Sequence, residues 1–339
     1  MNEDRTGKAI IKASRPFAVE DRATTWRLFG RTMAVAILLL AVAAAAPHWT
    51  VRAIASVFLG LTVVRFFIFY HDCLHRAVFR KSKVGRALMN AYGLLVLTPP
   101  RIWRDSHNYH HAHTSKLVGS SIGSYPLLTY RMYQALSLPQ RLAYRATRHW
   151  LTIAMGYFTI FLVGMCLKPL FNNPRRYWDS ALALVVHGGL VAGLTIGFGF
   201  ETAFFVLILP TAVACASGAY LFYAQHTFPG MELRDRREWE YTVAALRSSS
   251  MTEMSPIMHW FTGNIGYHHV HHLNPAIPFY RLPEAMAQVP ELRNPIVTTL
   301  RPKDIVACLR IHLWDPEQKT MLTYREAAER YARRAVSVS

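Results

Sequence analysis

WDSALALVVHGGLVAGLTIGFGFETAFFVLILPTAVACASGAYLFYAQH, residues 178–226, contains two apolar runs, 178–200 and 202–223, with Glu201 as the only charge between them. A helix that crosses a bilayer needs about 20 mostly apolar residues. Each run reaches that length, and the near-absent gap allows only a tight return, so the stretch reads as a transmembrane helical hairpin. It ends on His226, just past the second run. A second hairpin lies towards the N-terminus, with runs at about 33–49 and 51–70, a turn near Pro47, His48, Trp49 and Thr50, and His71 directly after it. The whole chain of 339 residues agrees with this reading, being 52% hydrophobic and only 17% charged, a balance unlike that of soluble domains.

The formal charge of +18 raises nucleic acid as a partner. However, Lys and Arg are spread over the termini and between the apolar runs and do not form one stripe, so no nucleic acid is expected. They are read as facing anionic headgroups and an acidic protein partner. Cys73, Cys166, Cys215 and Cys308 are far apart and form no CxxC pair, which argues against a disulfide framework and a zinc ribbon. Residues 1–31 are polar and basic, with Lys8, Lys12, Arg15, Arg22, Arg27 and Arg31. So long a basic lead makes the first apolar run a retained anchor, not a cleaved signal.

Two further apolar runs, 84–97 and 149–171, complicate the topology. If 149–171 crossed the membrane, the histidine-rich segments before and after it would lie on opposite faces. Lys168, Arg175 and Arg176 at its end also belong with the basic N-terminus on the cytoplasmic side. Both runs are therefore predicted to be re-entrant or interfacial, leaving four spans. Residues 224–339 are polar and proline-punctuated, with a basic amphipathic stretch, 323–334, expected to be helical on the membrane surface. The expected fold is all-α: a four-helix membrane bundle with a cytosolic helical cap. It divides into a basic N-terminal segment (1–31), a catalytic domain (32–290) and a C-terminal helical tail (291–339).

Sixteen histidines occur, and most gather where apolar runs end on one membrane face. His71 and His75 form an i, i+4 pair; His107, His110 and His111 share a helical face, as do His268, His271 and His272; His226 stands alone. An isolated HxxxH arises readily by chance. His187, inside a span, reads as a packing residue with a hydrogen bond, and His48, His149 and His312 as interface or surface residues; His259 is undecided. Nine histidines in repeated spacings on one face need a common cause, and packing supplies none. Imidazole suits several transition metals. A catalytic zinc usually takes three protein ligands, whereas nine imidazoles can serve two metals. Two adjacent redox metals with open positions suggest dioxygen chemistry, and the membrane setting suggests a lipophilic substrate.

HDCLH at 71–75, HNYHH at 107–111 and HHVHH at 268–272 resemble the three histidine boxes of the membrane fatty acid desaturases. GNIGYHHVHHLNPAIPFYRLPE at 263–284, together with Tyr223-Ala224-Gln225-His226, is especially similar to bacterial acyl-lipid desaturases, and the likeness runs from about residue 50 to 290. The resemblance implies a non-haem centre of two iron ions ligated by His71, His75, His107, His110, His111, His226, His268, His271 and His272. His113 and His269 fall off the box spacing. Also implied are a mushroom-like fold, a bent acyl tunnel beneath the metals, dioxygen as co-substrate and a lipid-linked acyl substrate. One hydrogen would leave each of two adjacent methylenes, the oxygen departing as water. Asp72, Asp105 and Asn264 are candidate partners for imidazole N–H groups, with helix-end capping or solvated polar roles as the ordinary alternative. There is no fused haem motif or iron–sulfur cysteine spacing. The two electrons are thus expected from an external donor, a ferredoxin or a small cytochrome with its reductase. The expected location is the bacterial inner membrane, with the active site and both termini cytoplasmic. The boxes alone leave open a hydroxylase or ketolase acting on a fatty acid, alkane or carotenoid. A membrane zinc hydrolase and a metal transporter or sensor fit less well, since the spans carry almost no ionisable path.

Overall fold

The two apolar hairpins fold as their breaks require. A computed structural model describes residues 7–119, 122–235 and 237–338, the side chains of 334–338 excepted, so residues 1–6 of the basic N-terminal segment lie outside the described residues. Among the described residues, four helices are long and apolar enough to cross a membrane: Arg22–Ala45, Trp49–Leu74, Trp178–Phe198 and Phe200–Ala224. We refer to them as the first to fourth spans. At about 1.5 Å per residue they match or exceed a hydrocarbon core of roughly 30 Å. The last two are separated by Gly199 alone, whose φ of +85° is readily available only without a Cβ. At this end of the bundle, away from the histidines, Arg52 donates to the Ala43 carbonyl and pairs with Glu201 at 2.7 Å. The single charge in the second turn thus ties the two hairpins together.

The first span begins about three turns before its apolar run, because Asp21 caps it by accepting the Thr24 N–H at 3.1 Å. Hydropathy marks only the lipid-facing part of a helix, whereas the cap residue marks its start. Its early residues serve packing: Phe29 meets Phe66, Phe69 and Phe79 at centroid distances of 5.5–5.7 Å. The second span is central, while the third presents Val185, Ile196 and Phe198 outwards.

Tyr157–Asn172 is apolar but shorter than a span, and Tyr157–Leu167 is wound as a π-helix. Gly156, just before it, sits against Cys215 and Ala219 of the fourth span. Tyr157 bonds His187 at 2.5 Å, and near the other end Met165 accepts from Ser180 of the third span. All these contacts lie in the halves of the spans nearer the histidines, so the segment lies across the bundle without crossing it. The histidine-rich segments therefore share one face. The other short apolar run forms Lys83–Leu95, started by Ser82 accepting from the Gly85 N–H at 3.0 Å.

Over that face sits a cap of short helices and two small sheets. Leu128–Thr129 pairs parallel with Leu313–Asp315, which pairs antiparallel with Thr320–Leu322; Met251–Glu253 pairs parallel with Val297–Thr299. The amphipathic stretch near the C-terminus is helical, Tyr324–Val338. Of its described side chains, Tyr324 and Ala327 turn to the cap, with Ala327 fully buried among Leu313, Leu322, Tyr133 and Tyr144. Residues 8–21 also pack in: Ile10 and Phe17 are buried in the main core, and Glu20 accepts the N–H groups of Phe79 and Arg80.

Candidate metal centre

Four pieces of backbone deliver the histidines to one place. The second span carries His71 and ends with His75 as its C-cap residue. The helix Pro100–His113, started by its proline, carries His107, His110 and His111. His268–Leu273 is a short helix with His268, His271 and His272, and His226 follows the fourth span by two residues. All nine converge in two groups. His71, His75, His107, His111 and His271 form one, and His110, His226, His268 and His272 the other; within each group the ligating atoms lie within 4.8 Å of one another.

The Nε2 atoms face inwards. In the four-histidine group they form a closed ring, His110 to His226 at 3.0 Å, His226 to His268 at 2.9 Å, His268 to His272 at 3.1 Å and His272 back to His110 at 3.3 Å. In the other group His71, His107, His111 and His271 follow one another at 3.0, 3.0 and 3.1 Å, and the buried Nε2 of His75 has no hydrogen-bond partner. Hydrogen bonds cannot explain such a ring: a neutral imidazole has one N–H, and alternating donors would satisfy only half of the contacts. A central cation satisfies them all. Nitrogens spaced like this surround a point about 2 Å from each, close to the metal–imidazole bond of about 2.0–2.1 Å known for zinc.

The electrostatics agree. Burial, followed by the neighbouring imidazoles, holds His75, His107, His110, His111, His268, His271 and His272 well below the ordinary imidazole value. Burial lowers His226 to about 4, opposed by its bond to the Ser248 carbonyl. At neutral pH these rings are neutral and their lone pairs are free to bind a cation. Several outer nitrogens are fixed: His71 Nδ1 by Asp72 at 2.9 Å, His110 Nδ1 by Ser124 at 2.5 Å, and His226 Nδ1 by the Ser248 carbonyl at 3.1 Å. The Asp72 carboxylate and the Ser248 carbonyl, as acceptors, hold the proton on Nδ1 and leave Nε2 bare.

Of the three polar candidates, only Asp72 reaches an imidazole; its other oxygen accepts the Phe279 N–H at 2.7 Å. Asp105 is instead a surface partner of Arg176 at 2.7 Å, because its helix turns it away from the histidine face. Asn264 occupies a left-handed turn position (φ +57°) and donates to the Phe279 carbonyl at 3.2 Å. His113 stacks on Tyr109 and His269 bonds the Leu292 carbonyl; neither joins a group, nor does His259. His187 is the bonded packing residue expected, held by Tyr157 and the Leu95 carbonyl. Sequence reasoning missed Ser124 and Trp103, whose ring stacks on His107 at 4.2 Å. Both are single residues with no spacing to mark them.

A cavity of about 700 Å³ begins beneath His71, His107 and His268 and continues between the second and fourth spans past Phe67, Val64 and Cys215. Its lining is mainly apolar, as a hydrocarbon ligand requires. A family model described as fatty acid desaturase matches residues 47–300. The chain belongs to the fatty acid desaturase family. The desaturase is 32% identical to a protein named fatty acid desaturase from Bacillus subtilis (strain 168), over 79% of this chain and 77% of that one. It is 25% identical to an sn-1 oleoyl-lipid 12-desaturase from Picosynechococcus sp. (74% and 75% covered) and 24% identical to an sn-1 acyl-lipid omega-3 desaturase (ferredoxin) from Nostoc sp. (76% and 72%). The desaturase is thus an oxidoreductase of lipid metabolism with membrane helices and a histidine-built site able to hold metal.

Proposed function

We propose that the nine histidines ligate two iron ions, five (His71, His75, His107, His111, His271) at one and four (His110, His226, His268, His272) at the other. The centre places a cis double bond in an acyl chain lying in the cavity. The observation that carries this reading is the pair of inward-facing Nε2 groups at the head of an apolar chamber. Bound iron supplies the dioxygen chemistry that side chains lack. The chain's own residues do the rest. Asp72, Ser124 and the Ser248 carbonyl orient imidazoles, and Trp103 and Phe67 wall off water. The apolar lining fixes which methylenes lie beneath the histidines, since hydrocarbon has no polar handle.

In this reading the substrate is lipid-linked, in line with the names of the Picosynechococcus and Nostoc relatives. The two electrons come from a ferredoxin or a small cytochrome with its reductase, docking on the basic cap. Catalytic domain 32–290, with flanking segments 1–31 and 291–339, sits in the bacterial inner membrane. The histidine face and both termini are cytoplasmic, as the basic termini favour.

Expression in a bacterium that makes no polyunsaturated lipid, followed by mass spectrometry of the fatty acid methyl esters, tests the activity. The expected result is a new unsaturated species that disappears in His107→Ala. Hydroxylated products would replace desaturation by oxygen insertion. Unchanged lipids, with iron loaded and a donor supplied, would overturn the acyl substrate.

A further inference from the structure

Gly218 lies in the half of the fourth span nearer the histidines and lines the chamber together with Ala214 and Cys215, at helical spacing on the same face. A glycine within a helix is unfavourable relative to alanine, so its presence calls for a local reason. Two common reasons fail here. Gly60 allows close packing, since a Cβ there would come within 2.7 Å of the Pro210 carbonyl, whereas a Cβ at Gly218 would meet nothing within 4 Å. Gly193 of the third span also has open space around it, but it is exposed on the outer side of the bundle. The space in front of Gly218 is the chamber itself.

We infer that Gly218 is a specificity-determining residue that sets how far an acyl chain extends beyond the histidines. At about 1.5 Å per residue, Gly218 lies about 12 Å along the helix from His226, and the last lining residue of that helix, buried Thr211, about 22 Å. A large side chain at 218 therefore blocks roughly the inner half of the path and leaves the half beneath the histidines open. The open end is marked by exposed Ile122 and Thr147 together with Lys168, so the methyl end of the chain occupies the inner part. Gly164 on the π-helical wall also lines the chamber and has only Thr159 O, at 3.5 Å, near an added Cβ. Both walls are thus trimmed to glycine.

This inference rests on the acyl-desaturase reading, and the following experiment separates the two. Wild type, Gly218→Ala, Gly218→Leu and, as an outward-facing control, Gly193→Leu are expressed in the same lipid background. Iron per purified chain is measured alongside the methyl-ester profile. The expected result is graded: Gly218→Leu moves the double bond towards the methyl end or shifts selectivity towards shorter acyl chains, the latter by about tenfold or more, tenfold being the low end for one methylene in an apolar pocket. Gly218→Ala shifts it in the same direction by less, and Gly193→Leu matches wild type. Iron content stays at the wild-type level in Gly218→Ala, which separates a change of chamber from loss of fold. A wild-type product profile in both Gly218 variants overturns the inference but leaves the desaturase reading intact. No new unsaturated lipid from wild type overturns that reading.

Discussion

Asp72 does two things at once: one oxygen holds His71 Nδ1 and the other accepts the Phe279 N–H. Asp72→Ala leaves a buried backbone donor unsatisfied, at a cost of about 1–3 kcal/mol, and frees the His71 ring to turn. On the proposed two-iron centre, iron should fall from two per chain towards one, with the five-histidine group losing its ion first. Asp72→Asn, which keeps an acceptor for Phe279, should retain more iron; equal loss in both variants would show that the carboxylate charge matters more than the backbone bond. The histidine spacings were legible because they are covalent facts of the chain, but the division into groups was not. His110 and His111 are neighbours in sequence and fall in different groups, as do His271 and His272, since successive helical residues point about 100° apart. Which side of the helix meets which group depends on how four separate backbone segments dock, and no local pattern encodes that. Asp105, plausible by position, was lost to Arg176 for the same reason.

Residues 8–21 lie ahead of the matched family region but are built into the body of the protein. Ser14 accepts from Asn274 at 2.9 Å, just after the third box, and Pro16 accepts from Arg281. Glu20 holds the loop after His75, where Arg76 and Phe79 have positive φ (60° and 53°), a conformation that costs bulky residues energy. Glu20→Ala should therefore destabilise by about 1–3 kcal/mol and weaken iron retention, measured by thermal unfolding in detergent and by iron per chain. An unchanged unfolding temperature would mean that the loop holds its shape unaided. Sequence reasoning found only charge in this segment, because two buried apolar side chains, Ile10 and Phe17, make too short a pattern to see. The long hairpins were legible because hydropathy over about 20 residues is a strong signal, as was the need for the run at 149–171, where the structure has the short apolar helix Tyr157–Asn172, not to cross. The amphipathic C-terminal helix was legible as a helix, but its apolar face does not say whether lipid or the cap's small sheet will cover it.

At the scale of the molecule, two hairpins tied by Arg52 and Glu201 at one end carry histidines at the other, and the cap closes over them. The bundle provides an apolar chamber between its second and fourth spans, and the cap brings the boxes that no single helix could assemble. Two ions, one in each histidine group, are the central claim. X-ray diffraction from crystals of the full chain, with anomalous data collected on both sides of the iron absorption edge, tests it most directly. Two iron peaks are expected, one surrounded by His71, His75, His107, His111 and His271 and the other by His110, His226, His268 and His272. A single peak, or peaks that persist below the iron edge and belong to zinc, would contradict it.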